Sequence, residues 1–252
     1  MIKMMMHGCN GKMGRMITEI VKGDENAQIV AGVDKYTEVP NDYPVFDSIE
    51  KCDVDVDVVI DFSNAGAVDA LLDYCLAKKL PVVLCTTGLS EEQLKKVEDA
   101  SKEIAVLKSA NMSLGINLLM KLLQDAAKVL APAGYDIEVV ERHHNQKLDA
   151  PSGTALALAD SVNDALGNEY HYVYDRSQVR QKRDKKEIGI SAVRGGTIVG
   201  QHEVIFAGTD EVIEFNHTAY SRSVFGKGAV EAGKFLAGKE AGMYDMSDVI
   251  GL

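Results

Sequence analysis

The chain has 252 residues, enough for one large domain or two modest ones. Its 27 Lys and Arg stand against 38 Asp and Glu, and the resulting net charge of −11 argues against a protein built to coat nucleic acid or anionic lipid. With 46% apolar and 26% charged residues and no tryptophan, the composition is that of a folded globular chain, not a disordered or low-complexity one.

Residues 2–7 form a short apolar run that ends at glycine and predicts a strand. Residues 11–21 follow with Met13, Met16, Ile17 and Ile20 at helical spacing. Residues 28–34 predict a second strand, and 55–62 alternate Asp and Val before turning wholly apolar, as a strand entering a buried sheet does. A helix over 67–79, a strand over 81–85, a helix from the cap Ser90 to Lys102 and a strand over 104–108 complete the first half. Glu92 stands near the capping-box position of that helix. Repeated β-α units of this length predict a parallel, doubly wound Rossmann-like sheet, because parallel neighbours need crossover connections.

The second half changes rhythm. A long helix over 114–130 stops at Ala131-Pro132, a strand over 135–142 leads into a polar loop, and a helix over 154–166 ends at Gly167. Strands over 189–193, 200–206 and 211–217 follow with short connections, which predicts a mixed or antiparallel sheet in a smaller α+β domain. A last helix over 223–237 can return to the first domain. The stretch 175–187 carries six Lys and Arg and predicts a solvated loop. Two domains are expected, 1–108 with 218–252, and 109–217.

Cys9, Cys52, Cys75 and Cys85 are scattered with no CxxC pair, so neither a disulfide framework nor a metal site is expected. No apolar run approaches the roughly 20 residues that span a bilayer, and a cytoplasmic protein with no membrane partner is expected.

Gly8-Cys9-Asn10-Gly11-Lys12-Met13-Gly14 sits between the first strand and the first helix. The spacing GxxGxxG is looser than the usual dinucleotide fingerprint, but its context matches. A backbone that approaches a pyrophosphate needs residues free of Cβ, and the helix behind it points unpaired N–H groups at the phosphates. Asp34 ends the second strand, where a carboxylate accepts hydrogen bonds from an adenosine ribose. Lys35 beside it is a cation for a 2′-phosphate, so NADH and NADPH are both expected cofactors. His7, before the turn, reads as a strand-end residue.

Glu141-Arg142-His143-His144-Asn145-Gln146-Lys147-Leu148-Asp149-Ala150-Pro151-Ser152-Gly153-Thr154-Ala155 concentrates two histidines, a lysine and a helix start. Histidine suits proton transfer near neutrality, and the helix start, with Ser152 as cap, offers N–H groups to a carboxylate. This fifteen-residue run resembles the signature of the 4-hydroxy-tetrahydrodipicolinate reductase (dihydrodipicolinate reductase) family of diaminopimelate and lysine biosynthesis. The likeness extends to GCNGKMG, to DFS at 61–63, CTTG at 85–88, SANMSLGIN at 109–117, IGISAVRGGTIVGQHEVIF at 188–206 and YDMSDVIGL at 244–252.

The resemblance implies an NAD(P)H-dependent reduction of a cyclic imine dicarboxylate with loss of water. It implies His143 as proton donor or acceptor, Lys147 as a second proton donor, and His144, Gly153 and Thr154 as substrate contacts. Cofactor contacts would come from Gly8, Cys9, Asn10, Gly11, Lys12, Met13, Asp34, Lys35, Cys85, Thr86, Thr87, Ser109, Ala110, Asn111 and Met112. It also implies that 1–108 with 218–252 binds the dinucleotide and that 109–217 binds the substrate and builds a homotetramer through its sheets. Cys85 stands where the family often has glycine, and Met112 replaces a frequent aromatic. Two other functions fit the glycine turn: a different NAD(P)-dependent dehydrogenase of amino or hydroxy acids, or a non-catalytic dinucleotide-sensing regulator. Neither explains the His-His-Lys loop.

Overall fold

A computed structural model describes residues 1–178 and 180–251. In chain order the elements are β1 (Ile2–His7), α1 (Lys12–Lys22), β2 (Ala27–Val33), β3 (Val45–Phe46), β4 (Val58–Asp61), α2 (Val68–Lys78), β5 (Val82–Leu84), α3 (Glu91–Ser101) and β6 (Ala105–Leu107). Then come α4 (Leu114–Leu130), β7 (Asp136–His143), α5 (Gly153–Ala165), β8 (His171–Val173), β9 (Glu187–Arg194), β10 (Gly200–Ala207) and β11 (Val212–Ala219). The chain closes with α6 (Ser223–Leu236), β12 (Gly242–Tyr244) and α7 (Met246–Ile250). Two compact units result, Met1–Ser113 with Ser223–Gly251, and Leu114–Arg222. The crossings fall a few residues beyond 109 and 218, which places Ser109 to Ser113 in the first unit.

The first unit is a seven-stranded parallel sheet in the order β12-β6-β5-β4-β1-β2-β3. The order reverses between β1 and β4, the crevice in which open α/β sheets bind their ligands. Alternation along β1 sends Met4 and Met6 into one apolar layer with Ile17, Ile60 and Val230. Met5 goes into the opposite layer with Val59, Leu71 and Val82. The last helix, α6, belongs to this unit. Its glycines allow close approach: a Cβ on Gly228 would lie 1.6 Å from the Met112 carbonyl oxygen, and one on Gly233 3.1 Å from Met4. Ser90 caps α3 through a capping box whose partner is Gln93, not the expected Glu92.

The second unit is a mixed sheet, β11-β10-β7-β9-β8, in which β7 is central, antiparallel to β10 and parallel to β9. Helices α4 and α5 supply Leu119, Leu123, Leu158 and Val162 to a core shared with Ile137, Val139, Val204 and Phe206. Burial alternates strictly along β7, so Glu141 and His143 lie on the same face as Ile137 and Val139. The described residues of the charge-rich stretch 175–187 form the largely exposed loop expected of it, but two of its arginines turn back onto the sheet. The Arg183 guanidinium contacts Glu138 (2.9 Å) and Asp136 (3.2 Å) and donates to the carbonyls of Ile137 and Glu187 (2.6 Å each). Arg176 pairs with the buried Glu187. These two arginines tie the loop to β7 and β9. Among the described residues no helix is long and apolar enough to cross a membrane.

Candidate active site

In the first unit, β1 and β4 run side by side and end at His7 and Asp61, which are register partners. His7 Nδ1 lies 2.8 Å from Asp61 Oδ1. Burial opposes the Asp61 charge, yet His7, Ser63 and Thr86 outweigh it and hold the carboxyl below its usual range. Beyond this pair the chain turns at Gly8, whose φ of +81° suits glycine; a Cβ there would also sit 2.6 Å from the Phe62 carbonyl oxygen. Gly11 then opens α1, and among the described residues no side chain caps that end.

A cleft of about 400 Å³ follows the turn, lined among others by Gly8, Gly11, Asp34, Lys35, Phe62 and Ser63. The residues fit a dinucleotide. A Cβ-free turn and an uncapped helix start take phosphates, and a carboxylate at the end of β2 takes a ribose. Asp34 is already oriented, with Oδ2 accepting from Asn10 N (2.9 Å) and Oδ1 from Tyr36 N (3.1 Å). A second hollow, about 280 Å³, gathers Cys85, Thr86, Thr87, Lys108, Ser109 and Ala110.

Three of the cofactor candidates turn their side chains elsewhere. Cys9 is fully buried against Gly32, with its thiol pushed up to about 12 by burial and then by Asp34. Met112 packs in the core, and the Asn10 amide is taken by the Tyr36 carbonyl (2.6 Å) and Asn41 (3.0 Å). Cys9 is 0% and Met112 6% exposed, so neither side chain is offered to a ligand. Lys12 is exposed and Met13 half-buried on α1. Asn111 accepts from Ser113 N (2.8 Å).

The second unit assembles its polar cluster at the end of β7. Glu141 is wholly buried, and its carboxylate meets four donors. Arg194 reaches both oxygens (2.6 and 2.7 Å), Ser152 N donates to Oε1 (2.9 Å), and His143 Nδ1 lies 2.6 Å from Oε2. Burial alone would raise the carboxyl, but Arg194, His143 and Ser152 outweigh it and hold it below its ordinary value. His143 is held below the ordinary histidine value, chiefly by burial, with Glu141 acting the other way.

Ser152 Oγ accepts from Ala155 N (3.2 Å), capping α5, and meets His202 Nε2 at 3.1 Å. A Cβ on Gly153 would meet nothing within 4 Å, so the helix start is open beside it. Thr154 is the second residue of α5. Lys147 pairs with Asp149 at 2.8 Å, and the His144 carbonyl accepts from Lys147 N (3.1 Å). His143, Lys147 and the α5 start therefore belong to one cluster. Arg194 and His202, on β9 and β10, were not among the sequence candidates. Glu141 was legible in principle, because it alternates with His143 on one strand.

The parallel sheet with its glycine turn, and a second unit carrying a buried imidazole beside an open helix start, define a dinucleotide-dependent oxidoreductase. Residues 2–112 match the family model described as dihydrodipicolinate reductase, N-terminus, and residues 115–250 that for its C-terminus. The chain belongs to the dihydrodipicolinate reductase family. It is 54% identical over 250 residues to the 4-hydroxy-tetrahydrodipicolinate reductase of Caldanaerobacter subterraneus subsp. tengcongensis, covering 99% of this chain and 98% of that protein. It is 52% identical over 250 residues to the one of Clostridium novyi, with the same coverage. Among solved structures it is similar to dipicolinate-bound dihydrodipicolinate reductase from Paenisporosarcina sp. TG-14, with a TM-score of 0.82, 25% identity and 99% of each chain covered.

Proposed function

We propose that this chain reduces 4-hydroxy-2,3,4,5-tetrahydrodipicolinate to 2,3,4,5-tetrahydrodipicolinate with loss of water, using NADH or NADPH. The names of the relatives and the dipicolinate in the similar structure support the substrate class. The observation that carries the reading is the His143 ring, anchored on a buried carboxylate beside the open start of α5 and the Lys147 ammonium.

When bound, the reduced dinucleotide supplies the hydride. Gly8, Cys9, Asn10, Gly11, Lys12 and Met13 surround its pyrophosphate, Asp34 holds the ribose, and Lys35 accommodates a 2′-phosphate. Cys85, Thr86, Thr87, Ser109, Ala110, Asn111 and Met112 bound the nicotinamide end. In the second unit, His144, Lys147 and the N–H groups of Gly153 and Thr154 neutralise the two substrate carboxylates, offsetting the repulsion of a dianion by an acidic protein. His143 gives the proton that the reduced ring takes up on carbon, and Lys147 is a second donor. The open face of the second sheet, where Val193 and Val212 stand exposed, supports a homotetramer built there. The protein acts in the cytoplasm.

A steady-state assay with enzymatically generated substrate tests the reading. Oxidation of NADH or NADPH that requires the cyclic imine is expected; oxidation driven equally by simple 2-hydroxy or 2-amino acid partners would replace it with a general dehydrogenase. A dinucleotide that binds but never turns over would point to a sensor. The same assay tests Lys35. Lys35→Ala is expected to weaken NADPH about 10-fold relative to NADH, the loss of one charge-assisted contact of roughly 1.4 kcal/mol. An unchanged NADPH to NADH affinity ratio removes Lys35 from cofactor choice.

A further inference from the structure

We propose that Glu141 is a positioning residue for the proton transfer: it locks the His143 ring with Nδ1–H on its carboxylate, which leaves Nε2 as the nitrogen that exchanges the proton, and it ties that ring to the start of α5. This rests on the reading of His143 given above.

An ionised carboxylate only accepts hydrogen bonds. Glu141 stays ionised because Arg194 grips both its oxygens, so the 2.6 Å contact with His143 has the ring donating through Nδ1. A histidine held this way has one tautomer when neutral, and its imidazolium is stabilised by the anion behind it. In the step itself the Nε2–H bond breaks and a C–H bond forms. The electron pair stays on Nε2, and the imidazolium becomes the neutral Nδ1–H form without moving. Glu141 keeps its charge throughout. Gly200 puts no side chain against Nε2, where a Cβ would lie 3.2 Å from that atom.

The same carboxylate also takes the Ser152 N–H at 2.9 Å, and Ser152 caps α5. Donor ring and substrate-facing helix start are thus fixed to one buried anion. The other charged or titratable groups near the ring are Arg194 from β9, Lys147 with Asp149 from the loop, and His202 from β10, its ring centroid 5.1 Å away with His217 behind it. Burial pushes His202 down to about 3, so it is neutral and adds no charge. Removing the Glu141 charge leaves Arg194 and Lys147 to oppose the imidazolium, with the Asp149 carboxylate, already paired with Lys147, as the remaining anion.

Glu141→Gln is expected to lower kcat about 10²-fold with KM changed less than about threefold, and to move the alkaline limb of kcat/KM to lower pH. Glu141→Asp should recover part of kcat and return the limb toward its wild-type position. A wild-type limb and kcat in Glu141→Gln would overturn the proposal, as would a loss confined to KM. Should Glu141→Gln fail to fold, the wild-type protein decides. With histidine labelled by nitrogen-15, and His143 assigned by its absence in His143→Asn, the neutral ring is expected to carry its proton on Nδ1. A proton on Nε2 would sink the proposal. This measurement needs no substrate, so it stands or falls separately from the reductase reading.

Discussion

Replacing His143 with alanine is expected to lower kcat by about 10²–10⁴-fold, the usual contribution of a positioned general acid, while KM changes by a few-fold. On the proposed reading the proton moves only in the transition state, whereas the ground-state grip on the substrate is assigned to Lys147, His144 and the α5 start. Lys147→Ala is the contrasting case, with KM rising alongside a fall in kcat. The pH behaviour follows from the cluster. Burial holds His143 below its ordinary value, so in the free enzyme the protonated fraction falls as pH rises through a point below 6.5. kcat/KM is expected to fall through that same window. A bound dianion favours the imidazolium, so the limb in kcat should lie at higher pH than the limb in kcat/KM. Both limbs should vanish from the residual activity of His143→Ala; their persistence would assign them, and the proton, to another group.

The second large effect concerns Gly14, the last glycine of the turn. A Cβ at Gly14 would lie 2.2 Å from the Gly8 carbonyl oxygen and 2.6 Å from that of Cys9. These are backbone atoms of the turn itself, so no side chain can rotate aside. Helix α1 would have to withdraw from the loop that it supports. Gly14→Ala is expected to cost about 2–4 kcal/mol. At roughly 2–4 °C per kcal/mol for a chain of this size, Tm should fall by about 4–16 °C. Dinucleotide affinity should fall at least 10-fold, roughly 1.4 kcal/mol, because the N–H groups at the start of α1 move with the helix. Equal Tm and equal affinity in the variant would mean that the turn relaxes without consequence.

The parts of this molecule legible in its sequence are those whose cause is local. The strand that ends at Gly8, the helix behind it and Asp34 at the end of β2 follow from apolar spacing and from a turn that only glycines permit. The His143–Lys147 loop with the capped start of α5 is equally compact along the chain. What lay hidden depends on distant partners. β3, β8 and β12 have two or three residues each and exist because a neighbouring strand supplies hydrogen bonds. Arg194 is 53 residues from the carboxylate it grips, and only the parallel pairing of β7 with β9 brings them together. The charged stretch 175–187 is largely the solvated loop that its composition predicts, and what stays hidden is the return of Arg183 onto β7, where it meets Glu138, Asp136 and the Ile137 carbonyl more than forty residues away.

The discontinuity of the first unit bears on the order of its assembly. During synthesis at about 5–20 residues per second, residues 114–222 take roughly 5–20 s to emerge. Throughout that interval the β1–β4 ridge, with Met4 and Ile60 waiting for Gly233 of α6, has its covering helix still unmade. The portion translated first is completed last, while the segment carrying His143 already has all its own strands and helices. A nascent chain paused before residue 223 therefore exposes a greasy methionine-rich face that a finished one never shows.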